Sequence, residues 1–238
     1  MYIPRLGTAD LHIHTSASDG VAHVHELLNF ITHHRPMLDV IAITDHDTLD
    51  ASLWAYEGRH QYPFDIVPGV EVSSRGGHVL ALWVTTPIPR DMSLPETVAA
   101  IHEAGGVAIL AHPFHVEIDV SRHNARRHWQ HPSVLLDCGL DAIESYNAGV
   151  VTPGSNWLAG YFARKIGLTV TGSSDAHTLG AVGTGVTRFT GHTSVHLRAA
   201  FAEQRTRAEG RTWPIIEYVN YLRHATQRKA QTSMASTT

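Results

Sequence analysis

The sequence predicts an α/β barrel folded as one domain, and three observations carry that expectation. Short apolar runs alternate with helix-period segments along the chain. That is the pattern of right-handed βαβ units around a parallel sheet, most simply closed as a barrel. The run Asp39-Val40-Ile41-Ala42-Ile43-Thr44 is apolar almost throughout, as expected of a strand buried on both faces. Polar side chains gather at or just after the C-terminal ends of the runs: His12 and His14, Asp45 and His46, Glu71, His112, and Asp175 with His177. In a parallel barrel those ends converge on one mouth, where active sites are built.

In chain order, a first strand over about 8–13 leads into the polar loop Thr15–Gly20 and a helix over 23–34 with Val24, Leu27, Leu28 and Ile31 on one face. Pro36 stops that helix. The strand 39–44 is followed by a helix over about 48–61, then by a third strand, 64–72, interrupted by Pro68-Gly69. A fourth strand spans 77–84. His78 lies near its start, so this strand is expected either to run antiparallel or to open through a bulge. A helix at 93–104 stops at Gly105-Gly106. The fifth strand, 107–111, ends in His112-Pro113. Residues 115–133 are polar and rich in His and Arg, and read as a loop with irregular helix. A sixth strand at 140–144, a helix at 155–166 and a seventh strand at 168–172 follow. A last short strand near 185–189 and helices near 194–208 and 214–226 close the domain, expected to span 1–226, with a frayed polar tail over 227–238. Trp54, Trp83 and Trp157 read as core, and Cys138 as a buried small hydrophobe.

The 238 residues are 43% hydrophobic and 17% charged, ordinary for a soluble globular protein. A formal net charge of −4 argues against a duplex nucleic-acid binder. It leaves anionic substrates open, because bound cations make a site locally positive. The single cysteine excludes an internal disulfide and a Cys-rich zinc module. No signal-peptide pattern is seen, and no run approaches the ~20 apolar residues of a membrane helix. The expectation is a cytoplasmic protein without a membrane partner.

The chain contains 19 histidines, dispersed rather than in a block. In a strand, residues i and i+2 share a face, so His12 and His14 present two imidazoles side by side. Imidazoles and carboxylates without thiolates suit Zn, Mn or Fe.

His12-x-His14, Ser18-Asp19-Gly20, Thr44-Asp45-His46-Asp47, Pro68-Gly69-Val70-Glu71, His78-Val79-Leu80-Ala81-Leu82, Ala111-His112-Pro113 and Gly172-Ser173-Ser174-Asp175-Ala176-His177 stand in one order. Over about residues 7–190 they resemble the ordered motifs of the PHP (polymerase and histidinol phosphatase) family. The resemblance implies a distorted seven-stranded, TIM-like (β/α)7 barrel holding two to three divalent ions (Mn, Zn or Fe). It implies that His12, His14, Glu71 and Asp175 hold the first; that Glu71, His78 and His112 hold the second, with Glu71 bridging; and that Asp19, His46 and His177 hold the third. All nine positions carry competent ligands, whereas a degenerate, non-catalytic member would be expected to have lost some.

The function implied is a metal-dependent phosphoesterase in which a metal-bridging hydroxide attacks a phosphate ester. Glu71, Asp45 and His177 are the expected catalytic residues. Asp45 is expected either to orient an imidazole or the nucleophile, or simply to cap the following helix. Arg75, His115, Arg122 and Asn147 are the candidates for binding substrate. The Ser18-Asp19-Gly20 and Thr44–Thr48 motifs resemble the branch with nucleoside 3′,5′-bisphosphate phosphatases and short-oligonucleotide exonucleases, so a small nucleotide-like ester or short oligonucleotide is favoured. The alternatives are a histidinol-phosphate-type phosphatase, an amidohydrolase-like hydrolase of a C–N or C–O bond, and a non-enzymatic accessory module. Cationic groups around the metals would separate phosphate ester from C–N or C–O hydrolysis.

Overall fold

Period-2 burial builds the sheet. In β2 (Val40–Ile43), Val40 and Ala42 pack in one apolar cluster and Ile41 and Ile43 in another; in β4 (Gly77–Leu82), Leu80 and Leu82 separate in the same way from Val79 and Ala81. Alternate side chains thus face opposite sides of the sheet. The computed structural model describes residues 5–115 and 133–235. The other strands are β1 (Leu6–Asp10), β3 (Asp65–Ser74), β5 (Val107–Leu110), β6 (Ala142–Asn147), β7 (Thr169–Ser173), β8 (Gly185–Thr190) and β9 (Arg207–Gly210). Their order is β7-β6-β5-β4-β3-β2-β1-β8-β9.

The sheet curls until its seventh strand meets its first. Just past β1 and β7, Ile13 and Ala176 form a parallel bridge. There the His14 amide donates to Ala176 O at 2.9 Å and the Ala176 amide to His12 O at 3.2 Å. Strands β1–β7 therefore form the barrel expected from the sequence, and the β8–β9 hairpin is added to it. β8 pairs antiparallel with β1, and Thr187 Oγ1 accepts from the Gly172 amide at 3.0 Å. β9 was not foreseen, because Arg-Ala-Glu-Gly is mostly exposed and carries no strand pattern. β4 is antiparallel to both β3 and β5; of the two options for His78, the structure takes this one.

The helices are α1 (Val24–His34), α2 (Asp50–Glu57), α3 (Leu94–Glu103), α4 (Ser133–Asp137), α5 (Ser155–Ile166), α6 (Ser194–Ala202) and α7 (Ile215–Ala235). α1 buries the expected Val24, Leu27, Leu28 and Ile31. α3 begins with a capping box, in which the Ser93 amide donates to Glu96 Oε2 at 2.8 Å. The helix expected over 48–61 is α2 followed by a short 3-10 turn at Arg59–Gln61. α6 stops earlier than expected and α7 runs to Ala235, across most of the segment read as a frayed tail.

Two tryptophans correct the expected core: Trp54 is 40% and Trp157 67% exposed, while Trp83 packs against the cluster capped by Leu197 and Phe201 of α6. Cys138 is only half-buried and donates weakly to Leu135 O. Among the described residues no helix is long and apolar enough to cross a membrane.

Candidate metal centre

Strand pairing delivers the centre. β2–β3 pairing continues past β2 as a bridge between His46 and Glu71. The Glu71 amide donates to Asp45 O at 3.2 Å and the Asp47 amide to Glu71 O at 2.9 Å. In the β3–β4 ladder Glu71 opposes Leu80 and Ser73 opposes His78, so Glu71 and His78 are diagonal neighbours on one face. The Ala111 amide donates to His78 O at 3.0 Å, which sets His112 beside them. His12 and His14 follow β1, and Asp175 and His177 follow β7, on either side of the closing bridge.

The result is a carboxylate surrounded by imidazoles. Glu71 is 1% exposed. Its Oε1 lies 3.0 Å from His78 Nδ1 and 3.1 Å from His112 Nε2. Its Oε2 lies 3.0 Å from His12 Nε2, 3.2 Å from His14 Nε2 and 3.2 Å from His46 Nδ1. Asp175 Oδ1 adds a further oxygen, 3.4 Å from His12 Nε2 and 3.2 Å from His14 Nε2. On the outer side His177 Nε2 lies 3.1 Å from Asp19 Oδ2, and His46 Nε2 4.0 Å from Asp19 Oδ1.

Among the described residues, four groups could hold a metal ion: His12, His14 and Glu71; His46, Glu71 and His78; His12, His112 and Asp175; and His14, Asp19, His46 and His177. All nine positions singled out in the sequence are therefore together. Separations near 3.0–3.4 Å are what ligands bound at about 2.0–2.2 Å keep from one another around a common ion. His14 Nε2 is buried and makes no hydrogen bond, despite its carboxylate neighbours. A buried, convergent set of imidazoles and carboxylates of this kind fits divalent metal.

A second layer orients the first. Glu144, wholly buried, lies 3.0 Å from His12 Nδ1 and accepts from the His112 amide at 2.8 Å. Asn147 donates through Nδ2 to Glu144 at 2.9 Å and to Asp175 at 3.0 Å. Asp45 accepts from the Thr15 amide and the Thr15 hydroxyl, both at 2.7 Å, and from the Ser18 hydroxyl at 2.5 Å. Ser18 Oγ is in turn 3.4 Å from His14 Nδ1. Asp45 is not the cap of α2, whose cap position is Leu49.

Gly20 closes the same loop: a Cβ there would sit 2.6 Å from His14 O. α7 completes the rim, where the Tyr221 hydroxyl donates to Asp19 at 3.3 Å and the Arg228 guanidinium donates to the Ser18 carbonyl. Two residues of the centre have left-handed backbones, His112 at φ 25° and Asp175 at φ 52°. Such strain in non-glycine residues persists where the surroundings over-determine it.

The remaining candidates fall in different places. Arg75 is at the β3–β4 turn, 68% exposed and 3.6 Å from Glu96, and is not drawn into the centre. His115 lies beside it, with its ring 6.0 Å from that of His112 and Nδ1 3.0 Å from Thr152 Oγ1. Arg122 and most of the 115–133 insertion lie outside the described residues. Glu144, Tyr221 and Arg228 were not foreseen. For Glu144 a signal exists: an acid ending an apolar strand, as Glu71 does.

The charges lock one another. Burial opposes the charge on Glu71, but His12, His46 and His78 outweigh it and hold its carboxyl well below the usual range. Burial also works against protonated His14, yet the Asp175 and Glu71 carboxylates raise it to about 10. His112 is raised to about 9: burial opposes its charge, and the Glu71 carboxylate outweighs it. His46 goes the other way: burial lowers it more than Glu71 raises it.

A family profile described as PHP-associated matches residues 153–206. The fold is that of a Bacteroides vulgatus two-domain protein containing a predicted PHP-like metal-dependent phosphoesterase. The TM-score is 0.70 at 18% identity, covering 87% of this chain and 66% of that one. The chain thus resembles PHP proteins in its fold and over the matched segment. Among curated proteins, an uncharacterized Methanocaldococcus jannaschii protein is 28% identical over 151 residues, covering 59% of this chain and 81% of its own length. A 5′-3′ exoribonuclease of Haemophilus influenzae is 32% identical over 107 residues, covering 42% of this chain and 37% of its own length. The profile match lies over α5, β7, β8 and α6, and so includes Asp175 and His177 of the centre.

Proposed function

We propose that this chain is a PHP-type metal-dependent phosphoesterase that hydrolyses a phosphate ester of a small, nucleotide-like metabolite. The observation that carries the reading is the division of Glu71. One buried carboxylate offers Oε1 to His78 and His112 and Oε2 to His12, His14 and His46, the arrangement of a ligand shared between two ions. His12, His14, Glu71 and Asp175 would hold one; Glu71, His78 and His112 a second; and Asp19, His46 and His177, with His14 adjoining, a third. Mn, Zn and Fe all suit these donors. When bound, such ions neutralise the ester's anionic oxygens and bring the pKa of a water toward neutrality.

The chain's own residues do the rest. His12 is fully buried, whereas the side chains of Asp19, His46 and His78 are 38%, 29% and 23% exposed. The ester therefore approaches from the Asp19–His46–His78 side. Glu144 holds the Nδ1 edge of His12, so its Nε2 edge is the one turned to Glu71. Asn147 tethers the second oxygen of Asp175, leaving Oδ1 for the centre. Asp45 fixes the Thr15–Ser18 loop that carries Asp19. Arg228 places a cation at the Asp19 rim, which supports phosphate over a neutral C–N or C–O bond. The name of the Haemophilus relative supports a nucleotide or short oligonucleotide as substrate.

Metal analysis of the purified protein, followed by Mn-supplemented hydrolysis of an aryl phosphate and of a panel of phosphorylated metabolites, tests the reading. The panel includes nucleoside bisphosphates and histidinol phosphate. Bound metal with release of phosphate is expected. Bound metal with no phosphate released from any ester would refute it.

A further inference from the structure

Beside the metal centre, a cleft of about 500 Å³ lies between the loop after β6 and the start of α7. Its walls include Val151, Pro153, Trp157 and Tyr218, and none of its described lining residues carries a charge. Trp157 is 67% and Val151 64% exposed. An indole this exposed, in the wall of such a cleft, is an apolar surface left uncovered among the described residues. Its ring is also held: Trp157 stacks on Tyr161 one helical turn away, with centroids 5.7 Å apart and planes 13° from parallel.

The cleft joins the centre on two sides. Asn156 takes both backbone groups of Asn147, accepting from its amide at 3.0 Å and donating to its carbonyl at 2.9 Å. The Asn147 side chain is the donor on Asp175. Thr152 Oγ1 is 3.0 Å from His115 Nδ1, and the His115 ring lies edge-on to that of His112 at 6.0 Å. The polar centre and the neutral aromatic cleft are thus linked through Asn147 and His115 and have opposite chemistry. The first suits an anionic ester, the second a flat, uncharged ring.

We infer that the cleft is the subsite for the nucleobase of the substrate, with Trp157 as the stacking platform that sets specificity. This rests on the phosphoesterase reading for the position of the phosphate. Stacking of a base on an aromatic side chain is tolerant of base identity, so purine and pyrimidine nucleotides should both be accepted. Trp157 touches no residue of the metal centre in any described contact, and its removal should leave the chemistry itself unchanged.

The test compares the Mn-loaded wild type with Trp157→Ala and Trp157→Phe on adenosine 3′- and 5′-monophosphates and on ribose 5-phosphate, which lacks a base. Equilibrium dialysis of the same nucleotides runs in parallel. The wild type should show the lower KM for the nucleotides. Trp157→Ala should raise that KM about tenfold or more, leave kcat and the ribose 5-phosphate kinetics unchanged, and weaken nucleotide binding in dialysis. Trp157→Phe should restore most of the loss. Equal handling of nucleotide and ribose 5-phosphate by the wild type, or nucleotide binding unaffected by Trp157→Ala, would overturn the subsite. Hydrolysis of none of the esters, with nucleotide binding still dependent on Trp157, would instead overturn the phosphoesterase reading and leave the subsite standing.

Discussion

Replacing Glu71 by Gln keeps the shape of the side chain and removes its charge. Both donor sets on Glu71 lose a ligand, because Oε1 faces His78 and His112 while Oε2 faces His12, His14 and His46. Changing merely an outer partner of a metal ligand costs about 10–100-fold in affinity or activity. If each of two sets is weakened at least that far, joint occupancy falls by about 10²–10⁴. Elemental analysis after gel filtration should then find metal in the outer Asp19–His46–His177 set at most. Mn-supported kcat/KM on an aryl phosphate should fall by about 10²–10⁴. Circular dichroism checks that the chain is folded, and Glu71→Asp, which keeps the charge on a shorter arm, should recover part of the metal. Wild-type metal content and wild-type rate in Glu71→Gln would refute the bridging role.

Three further outcomes follow from the same geometry. Glu144→Gln leaves His12 without its carboxylate partner and should cost about 10–100-fold in metal affinity, read by competition with a chelator; unchanged affinity would mean that Glu144 does not orient His12. Asp45→Asn loosens the Thr15–Ser18 loop, so metal should be lost first from the set containing Asp19, visible as a lower stoichiometry with a preserved inner pair. The third outcome concerns pH. His14, raised to about 10, and His112, raised to about 9, are protonated at neutral pH in the metal-free chain. Binding must displace those protons, so apparent affinity should increase with pH by up to about tenfold per proton per unit, and calorimetry in buffers of different ionisation heat should count them. The sign for stability is opposite. Raised imidazoles stabilise the metal-free fold below their ordinary value and lose that contribution as pH rises toward 9–10. The lowered carboxyls of Glu71 and Asp175 lose theirs as pH falls below the usual carboxylate range. Thermal melts of the metal-free protein should therefore peak at roughly pH 4.5–6.5; a melting temperature that kept rising to pH 9 would contradict the ion-pair network.

Much of the barrel and its centre could be read from the chain because their determinants are local. Val40–Ile43 is apolar on both faces, α1 repeats its apolar residues at helical spacing, and each polar cluster sits at the end of its own strand. What escaped reading depends on contacts far apart in sequence or on exposure. Tyr221 meets Asp19 and Arg228 meets Ser18 across 202 and 210 residues, with nothing local in α7 to mark either. β9 exists because β8 offers it an edge, not because Arg207–Gly210 favours a strand. Trp157 was read as core because hydrophobicity says what a side chain would prefer, whereas the structure leaves it 67% exposed. Glu144 ends an apolar run in the sequence, and a wholly buried acid needs partners; His12 and the His112 amide are those partners.

The reversal of β4 shows how a local irregularity carries the site. In an all-parallel barrel every strand brings its C-terminal end to the mouth, and a histidine near the start of a strand would lie at the opposite end. Because β4 runs antiparallel to both neighbours, its first residues arrive at the mouth, and His78 reaches Glu71 Oε1 at 3.0 Å. The same reversal lets the His78 carbonyl accept from Ala111, which fixes the strand end bearing His112. Two imidazoles on one oxygen of Glu71 thus depend on one tight turn between Ser74 and Gly77, where the Ser74 hydroxyl donates to Gly77 O at 2.5 Å and accepts from the Gly76 amide at 3.0 Å. A parallel β4 would leave Oε1 with His112 alone, and the two-sided use of Glu71 would be lost.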